Sequence, residues 1–325
     1  MKILTILIFS GNRLSVKDLL GDIVKLNQLI NINKRIVEWS ESSKILKKKK
    51  KIFFNFKKKI KKFKVYYQKE YKKDNFEFKY LFYINKFSTK YITLIGDDDR
   101  INIKNFEKIF KHLDSNFSGL TTSFKNYKNK KDLKKKDSYS IDTVRSFTLH
   151  KDIHRIGYIS CHIIRSDLIK KIFKKEKKYL LTSRFPQNFI ILRIIKKFNN
   201  WKTSNLKCIY NNAGNIDFFI KKPEDTLVRL KSEYIGYLKP LIKNYSNLNK
   251  NEINKIYIKI FFKNIISWLF LSLKFCGKKI TFENIKEVRN IIKEPYLIKL
   301  VLIFMYICPI FLLNFLKILR RIILR

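Results

Sequence analysis

Three consecutive aspartates, Asp97, Asp98 and Asp99, are the residues of this sequence best suited to do chemistry. They follow the apolar run "YITLIG" in a 325-residue chain whose formal net charge is +46. Adjacent carboxylates raise one another's pKa unless a positive charge compensates them, and hard carboxylate oxygens are what Mg²⁺ or Mn²⁺ selects. If the backbone stays extended there, Asp97 and Asp99 face one side as a pair. The alternative is an acidic turn that caps the following helix.

The elements around these aspartates predict an open α/β sheet. A continuous apolar run at 3–9 and a second predicted strand at 34–40 flank a helical pattern, and this β-α-β order implies a parallel pair of strands. Ligands of such sheets bind beyond the carboxyl ends of the strands, which is where "GDDD" lies. Further strands are predicted at 64–67, 90–96, 117–127, 155–165 and 201–212, and helices at 75–88, 102–113, 166–175 and 185–198.

The most basic segment, residues 44–64, contains twelve lysines with Ile and Phe between them. Aromatic residues among basic ones are typical of nucleic-acid stacking, and they also fit a solvated helix whose apolar side packs on the sheet. We favour the helix. The basic charge extends over the whole chain, so compositional drift and an anionic membrane surface explain it better than a nucleic-acid partner.

The four cysteines, Cys161, Cys208, Cys276 and Cys308, are far apart and show no spacing typical of zinc sites. We interpret them as reduced core residues of a cytoplasmic protein. The apolar start of the chain is short, and no small-residue cleavage site follows it, so it predicts a first strand and no signal peptide.

From about residue 225 the pattern becomes helical and ends in an apolar stretch, 300–316, that Pro309 interrupts. Its seventeen residues would span about 26 Å as a helix, slightly less than the ~30 Å of a hydrocarbon core. A tilted span, an interfacial helix with a basic collar and a buried core helix are the three interpretations. We assign 1–222 to a catalytic domain and 223–325 to a helical region whose segment 296–325 associates with a membrane.

The order of these elements resembles the family 2 glycosyltransferases with the GT-A fold, and within them a branch similar to abequosyltransferase. The matching pieces, which span about residues 3 to 215, are "SGNR", "IVEWS", "KYITLIGDDD", "GYISCHIIRSDL" and "FPQNFIILRIIKKFNNWKTSNLKCIYNNAGN". "GDDD" after a strand is the most specific of them. The resemblance implies a Rossmann-like, mostly parallel sheet flanked by helices and followed by the C-terminal helical region.

The resemblance also implies a role for each site residue. Asp99 would ligate Mg²⁺ or Mn²⁺, with Asp97 approaching the ribose or the same metal, and the ion would hold the diphosphate of the donor. Glu38 would contact the base or ribose. The residues expected to bind the nucleotide sugar are Ser10, Asn12, Arg13, Glu38, Asp97 and Asp98.

One departure from the family concerns the general base. Inverting enzymes of the family place an Asp or Glu near the start of the later helix to deprotonate the acceptor hydroxyl. This sequence has "TSRFPQN" there, and Gln187 cannot take a proton. His162, Asp167 and Glu176 are the other candidates, and we name His162 although a histidine in "SCHII" is more often a packed residue.

Together these features predict a metal-dependent, inverting glycosyltransferase of the hexosyltransferase type. It would use a nucleoside diphosphate sugar and a glycan or polyprenyl-linked acceptor in surface polysaccharide synthesis. We expect it in the cytoplasm, peripheral or monotopic at the inner face of the cell membrane, with an anionic membrane surface and no nucleic acid as partner. One alternative is a Mg-dependent nucleotidyltransferase, for which "SGNR" is a poor phosphate loop. The other is a basic membrane- or nucleic-acid-binding protein without catalysis.

Overall fold

The fold is known from a computed structural model, which divides the chain into two compact units. One unit comprises residues 1–148 and 155–214, and the other comprises 149–154 and 215–325. The residues that the structure describes are 3–11, 13–26, 32–40, 42–67, 83–84, 86–87, 89–114, 116–127, 144–148, 152, 155–182, 186–212, 249, 251–256, 283, 300, 303–304 and 307. The sheet and the candidate site belong to the first unit.

The described part of the first unit contains a nine-stranded sheet with the order β3-β2-β1-β4-β8-β6-β9-β5, and β7 pairs with β9. The strands are β1 Leu4–Ser10, β2 Ile32–Glu38, β3 Phe63–Tyr67, β4 Tyr91–Gly96, β5 Arg100–Ile101, β6 Gly119–Tyr127, β7 Val144–Ser146, β8 His162–Arg165 and β9 Trp201–Asn212. β1, β2, β3, β4, β6 and β9 run in one direction, and β5, β7 and β8 run in the other. The sheet is therefore mostly parallel.

Helices flank this sheet. They are α1 Val16–Lys25, α2 Ser43–Lys57, α3 Ile103–Lys111, α4 Ser166–Thr182 and α5 Pro186–Phe198, with short 3-10 helices at His112–Asp114 and Ile159–Cys161. Ser42 and Asn102 cap α2 and α3, because their side-chain oxygens accept hydrogen bonds from the backbone N–H groups three residues on.

Strand β1 lies at the centre of the parallel half of the sheet, and all seven of its residues are buried. It pairs in parallel with β2 on one side and β4 on the other, which explains why it reads as a continuous apolar run. The register places Ser10 opposite Glu38 and Phe9 opposite Gly96. The carboxyl ends of three strands therefore meet at one edge.

The structure differs from the predicted elements at three places. The strand predicted over 155–165 is a strand only at His162–Arg165, because a 3-10 turn precedes it. The helix in the lysine-rich segment ends at Lys57, and the left-handed backbone of Lys62, with φ of 56°, leads into β3. The short strands β5 and β7 were not predicted, since two or three residues carry no periodic pattern.

Two predicted elements lie mostly outside the described residues: the helix at 75–88, and the C-terminal region with its apolar segment 300–316. Residues 251–256 of that region are helical. In the part of the chain that the structure describes, no helix is both long and apolar enough to cross a membrane.

Candidate functional site

The three aspartates follow β4 in a turn at the edge where β1, β2 and β4 end. The backbone bends directly after Gly96, and the N–H of Asp99 donates to the carbonyl oxygen of Gly96 at 3.2 Å. The alternation expected for an extended chain therefore does not apply. Asp97 and Asp98 contact residues of the loop after β1, whereas Asp99 contacts the segment around residue 160.

Asp97 and Asp98 share one cation. Arg13 Nη1 donates to Asp98 Oδ2 at 2.5 Å and lies 3.7 Å from Asp97 Oδ1. The other oxygen of Asp97 accepts the backbone N–H of Gly11 at 3.0 Å. The side chain of Arg13 is 49% exposed, so this positive charge is available to a ligand. The structure thus brings together Arg13, Asp97 and Asp98, three of the residues predicted for the nucleotide site.

Asp99 lies deeper and is held by two hydroxyl groups. Tyr158 donates to its Oδ1 at 2.6 Å, and Ser160 Oγ donates to its Oδ2 at 2.5 Å. Ser160 Oγ also accepts the N–H of Gly96 at 3.0 Å, so it fastens both ends of the aspartate turn. Neither residue was among the predicted site residues, although both belong to the segment "GYISCHIIRSDL" of the family resemblance. The hydroxyl groups in "GYIS" were the only feature of the sequence that could have indicated Tyr158 and Ser160.

Burial makes two of these carboxylates hard to ionise. It raises the pKa of Asp99 from 3.8 to about 7, although hydrogen bonds from Ser160 and Tyr158 oppose the change. It raises the pKa of Asp97 to about 6, against the lowering effect of Arg13. Hydrogen bonds and one guanidinium therefore do not fully compensate the two carboxylates. A hard divalent cation is the kind of group that would do so.

The oxygens of Asp97 and Asp99 fit such a cation chemically, because a carboxylate oxygen that accepts one hydrogen bond retains a further lone pair. Among the described residues, no cluster of three His, Cys, Asp or Glu side chains is arranged to hold a metal by itself. Mg²⁺ is commonly held by one or two carboxylates together with substrate phosphates. A site of that kind fits these aspartates.

Ser10 and Glu38 lie in a second, fully enclosed cluster beside the aspartates. Lys49 Nζ donates to Ser10 Oγ at 2.6 Å, to Glu38 Oε2 at 3.2 Å and to the carbonyl oxygen of Gly11. The other oxygen of Glu38 accepts the N–H of Ser40 at 2.8 Å. The side chains of Glu38 and Lys49 have no exposed surface. Burial lowers the pKa of Lys49, although Glu38 acts to raise it.

Lys49 was missed because it lies inside a run of five lysines, 47–51, in which composition gives no reason to select one. Two signals could have found it. Phe53 is one helical turn further on and is buried with Lys49, so the two share a face of α2. An acid that ends a buried strand also requires a cation. Asn12, the remaining residue expected in the nucleotide pocket, lies outside the described residues.

His162 occupies a closed hydrogen-bond network. Its Nε2 lies 3.0 Å from the carbonyl oxygen of Ile156, which can only accept, so this nitrogen carries the proton. Its Nδ1 then accepts from Thr121 Oγ1 at 3.1 Å, and Trp201 Nε1 donates to the same hydroxyl at 2.9 Å. Burial lowers the pKa of His162 to about 4. Both ring nitrogens are engaged, which argues against transfer of a substrate proton to this ring.

The two acidic candidates for the general base are each paired with an arginine. Asp167 accepts two hydrogen bonds from Arg165, at 2.8 and 2.9 Å, and Glu176 forms an ion pair with Arg193 at 3.0 Å. Gln187 is buried at the start of α5, as expected for the helix that begins there. Its amide cannot accept a proton, so the described residues do not supply a base at this position.

Comparison with known proteins supports the fold. No protein-family model and no curated protein matches the chain. The crystal structure of S. aureus TarS 1-349 in complex with UDP-GlcNAc is similar, with a TM-score of 0.58 and 13% sequence identity over 89% of this chain and 79% of that one. The mannosyltransferase PcManGT from Pyrobaculum calidifontis, in complex with GDP-Man and Mn²⁺, has a TM-score of 0.52 and 7% identity over 88% and 78%.

The second of these neighbours is a mannosyltransferase, and the mostly parallel α/β sheet flanked by helices that this chain shares with both confirms the predicted GT-A fold class. At such low identities the likeness establishes the fold alone. The narrower resemblance to abequosyltransferases stays a prediction.

Proposed function

We propose that this protein is a metal-dependent glycosyltransferase that moves a sugar from a nucleoside diphosphate sugar to a glycan or lipid-linked acceptor. The observation that carries the proposal is the aspartate turn at the carboxyl end of β4. There, buried carboxylates with raised pKa values lie beside the exposed guanidinium of Arg13. The neighbours with bound UDP-GlcNAc and GDP-Man add support, because they share the fold.

In this proposal Asp97 and Asp99 would hold Mg²⁺ or Mn²⁺, and the diphosphate of the donor would complete the ligands. When bound, the ion would act as a Lewis acid that stabilises the leaving nucleoside diphosphate. Arg13 would leave Asp98 in part and add a second positive charge against the phosphates. Tyr158 and Ser160 would keep Asp99 oriented, since both of its oxygens are already bonded to them.

The donor nucleotide would lie over the loop that follows β1. Ser10 is the last residue of β1, Asn12 and Arg13 follow it closely in the sequence, and Gly11 presents a backbone N–H to Asp97. The side chain of Glu38 is enclosed, so Glu38 would support this loop indirectly, through its contacts with Ser40 and Lys49. For an inverting transfer to the acceptor hydroxyl, we propose a base other than His162, whose ring nitrogens are both engaged.

We further propose that the lysine-rich surface at 44–64 faces an anionic membrane on the cytoplasmic side. Lys49 is buried and the other eleven lysines are exposed, and no acidic residue occurs between 42 and 67. Phe54 is 62% exposed among them, and Lys58 Nζ lies 4.8 Å from the centre of its ring. An exposed aromatic ring among lysines suits a lipid headgroup layer. Segment 296–325 would be a second contact.

A vesicle experiment tests this surface. Replacing Lys47, Lys48 and Lys51 with glutamate should weaken binding to phosphatidylserine vesicles and leave the weak binding to phosphatidylcholine vesicles unchanged. A chain lacking 296–325 measures the contribution of that segment separately. Unchanged binding of the glutamate variant to phosphatidylserine would remove the lysine surface from the proposal. Tighter binding to single-stranded DNA than to vesicles would favour a nucleic-acid partner.

The central experiment is a thermal-shift series with UDP-GlcNAc and GDP-Man, each with Mn²⁺ or with EDTA. We expect stabilisation by at least one donor only when Mn²⁺ is present, and loss of that effect in Asp99→Asn. Asp167→Asn is the matched control, because that carboxylate is exposed and paired with Arg165. If the donor with Mn²⁺ stabilises Asp99→Asn as much as the wild type, the proposal that Asp99 binds the metal is wrong. Consumption of a nucleoside triphosphate with release of pyrophosphate would instead identify a nucleotidyltransferase.

A further inference from the structure

One lysine in the basic segment differs in kind from its neighbours. Of the twelve lysines between 44 and 64, all of which the structure describes, Lys49 alone is fully buried. Lys48 and Lys50, on either side of it, are exposed. The side chain of Lys49 points from α2 toward the carboxyl ends of β1 and β2, where its ammonium group meets Ser10 and Glu38.

The ammonium group of Lys49 has no donor left for a substrate. A lysine carries three N–H donors, and Lys49 has three acceptors: Ser10 Oγ, Glu38 Oε2 and the carbonyl oxygen of Gly11. Its exposed fraction is 0%. Lys49 therefore acts on a ligand only through the residues that it holds.

Gly11 is the residue that contacts both Lys49 and the aspartates. The carbonyl oxygen of Gly11 accepts from Lys49 and from Ser40 Oγ, the latter at 2.8 Å, while its N–H donates to Asp97 Oδ2 at 3.0 Å. A side chain at position 11 has no room, because a Cβ there would lie 2.6 Å from Trp39 Nε1. The carbonyl oxygen of Gly11 thus binds Lys49 while its N–H binds Asp97, so Gly11 links the two side chains.

We propose that Lys49 is a positioning residue of the donor site: it fixes the loop after β1 against Glu38 and thereby sets the orientation of Asp97. This inference rests on the proposed function, because the purpose of that orientation is to bind a metal-diphosphate. Stability alone does not explain the pair, since a well-packed apolar pair of similar volume is often as stabilising as a buried ion pair, or more so.

The test compares binding with stability in a set of matched variants. Isothermal titration gives the Kd of UDP and of GDP, each with Mn²⁺, and thermal unfolding gives the Tm. The variants are Lys49→Met, the double variant Glu38→Gln with Lys49→Met, and the controls Lys48→Met and Lys50→Met. The double variant removes both charges of the pair, so no unpaired buried charge remains to unfold the chain.

We expect the nucleotide that the wild type binds to lose about tenfold or more in affinity in both variants that lack Lys49. The two controls should stay within about twofold of the wild type. The double variant should recover most of the Tm that Lys49→Met loses, while its affinity stays low. A purely structural role would not separate these two quantities.

Each other result overturns a stated claim. Wild-type affinity in the double variant, or a loss of affinity that simply follows the Tm, overturns the positioning role and leaves the proposed function intact. An equal loss of affinity in Lys48→Met would show that affinity depends on positive charge near the loop and not on Lys49 in particular. If the wild type binds neither UDP nor GDP with Mn²⁺, the proposed function fails, and this inference fails with it.

Discussion

Replacing Asp99 with asparagine should make the metal-free protein more stable than the wild type at pH 8. Burial raises the pKa of Asp99 from 3.8 to about 7, and its residue exposure of 4% leaves little solvent to screen the charge. One pKa unit corresponds to about 1.4 kcal/mol. Ionised Asp99 therefore costs the folded chain about 4 kcal/mol relative to an aspartate in the unfolded chain.

The sign of the pH dependence follows from the raised pKa. The folded protein keeps the proton of Asp99 to a higher pH than the unfolded chain does. The stabilisation from protonated Asp99 is therefore complete below about pH 4 and is lost as the pH rises through about 7. Between pH 5 and pH 8 the wild type should lose roughly 2.5 kcal/mol of unfolding free energy from this residue. Asparagine does not titrate, so the variant should lose nothing at this position.

Urea unfolding in the presence of a chelator, at pH 5, 6, 7 and 8, measures this difference. Asp97 titrates in both proteins and largely cancels from the comparison. Asp167→Asn is the control, because a hydrogen bond from Arg165 lowers the pKa of that carboxyl and keeps it ionised over the whole range. Adding Mn²⁺ at pH 8 should raise the stability of the wild type and not that of Asp99→Asn. A difference between wild type and Asp99→Asn that is the same at pH 5 and pH 8 would refute the reasoning.

Three further predictions concern the frame around the site. Gly119→Ala should lower the unfolding free energy by about 2 kcal/mol or more in urea titrations, because the added Cβ would overlap the buried ring of Trp201. His162→Phe should lower the unfolding free energy by about 1–3 kcal/mol, because the hydroxyl of Thr121 loses its acceptor. The rate at which the variant consumes the nucleotide sugar, measured from pH 6 to 9, should keep the pH profile of the wild type. Asp22→Asn should lower the unfolding free energy by about 2 kcal/mol, because Asp22 accepts two hydrogen bonds, at 2.6 and 2.7 Å, from the guanidinium of Arg100.

Two central strands of the parallel half of the sheet, β1 and β4, could be predicted from the sequence because they are buried on both faces. Such strands appear as unbroken apolar runs, and β1 and β4 lie within one or two residues of their predicted bounds. Once these strands are assigned, the parallel order places residues 10, 38 and 97 at one edge. The sequence could therefore place these predicted site residues at one edge of the sheet, although it could not predict their individual contacts.

The supporting contacts could not be predicted, because they depend on the path of the chain in space. Tyr158 and Ser160 reach Asp99 because β8 runs antiparallel between β4 and β6, which brings a turn some sixty positions away beside the aspartates. The segment before β8 was predicted as part of a strand, and hydrogen bonds to the aspartate turn hold it in a 3-10 conformation instead. Local periodicity contains no information about such a competition.

The balance of charge at this edge of the sheet favours a divalent ion. Four carboxylates, those of Glu38 and the three aspartates, lie near two cations, Arg13 and Lys49. Among the described residues, Lys49 pairs with Glu38, Arg13 is shared between Asp97 and Asp98, and the side chain of Asp99 accepts from the hydroxyl groups of Tyr158 and Ser160. The chain carries a net charge of +46, yet burial still raises the pKa values of Asp97 and Asp99 at this edge. A divalent ion would bring two positive charges to these carboxylates and would keep open positions for a diphosphate, whereas a further lysine would bring only one charge.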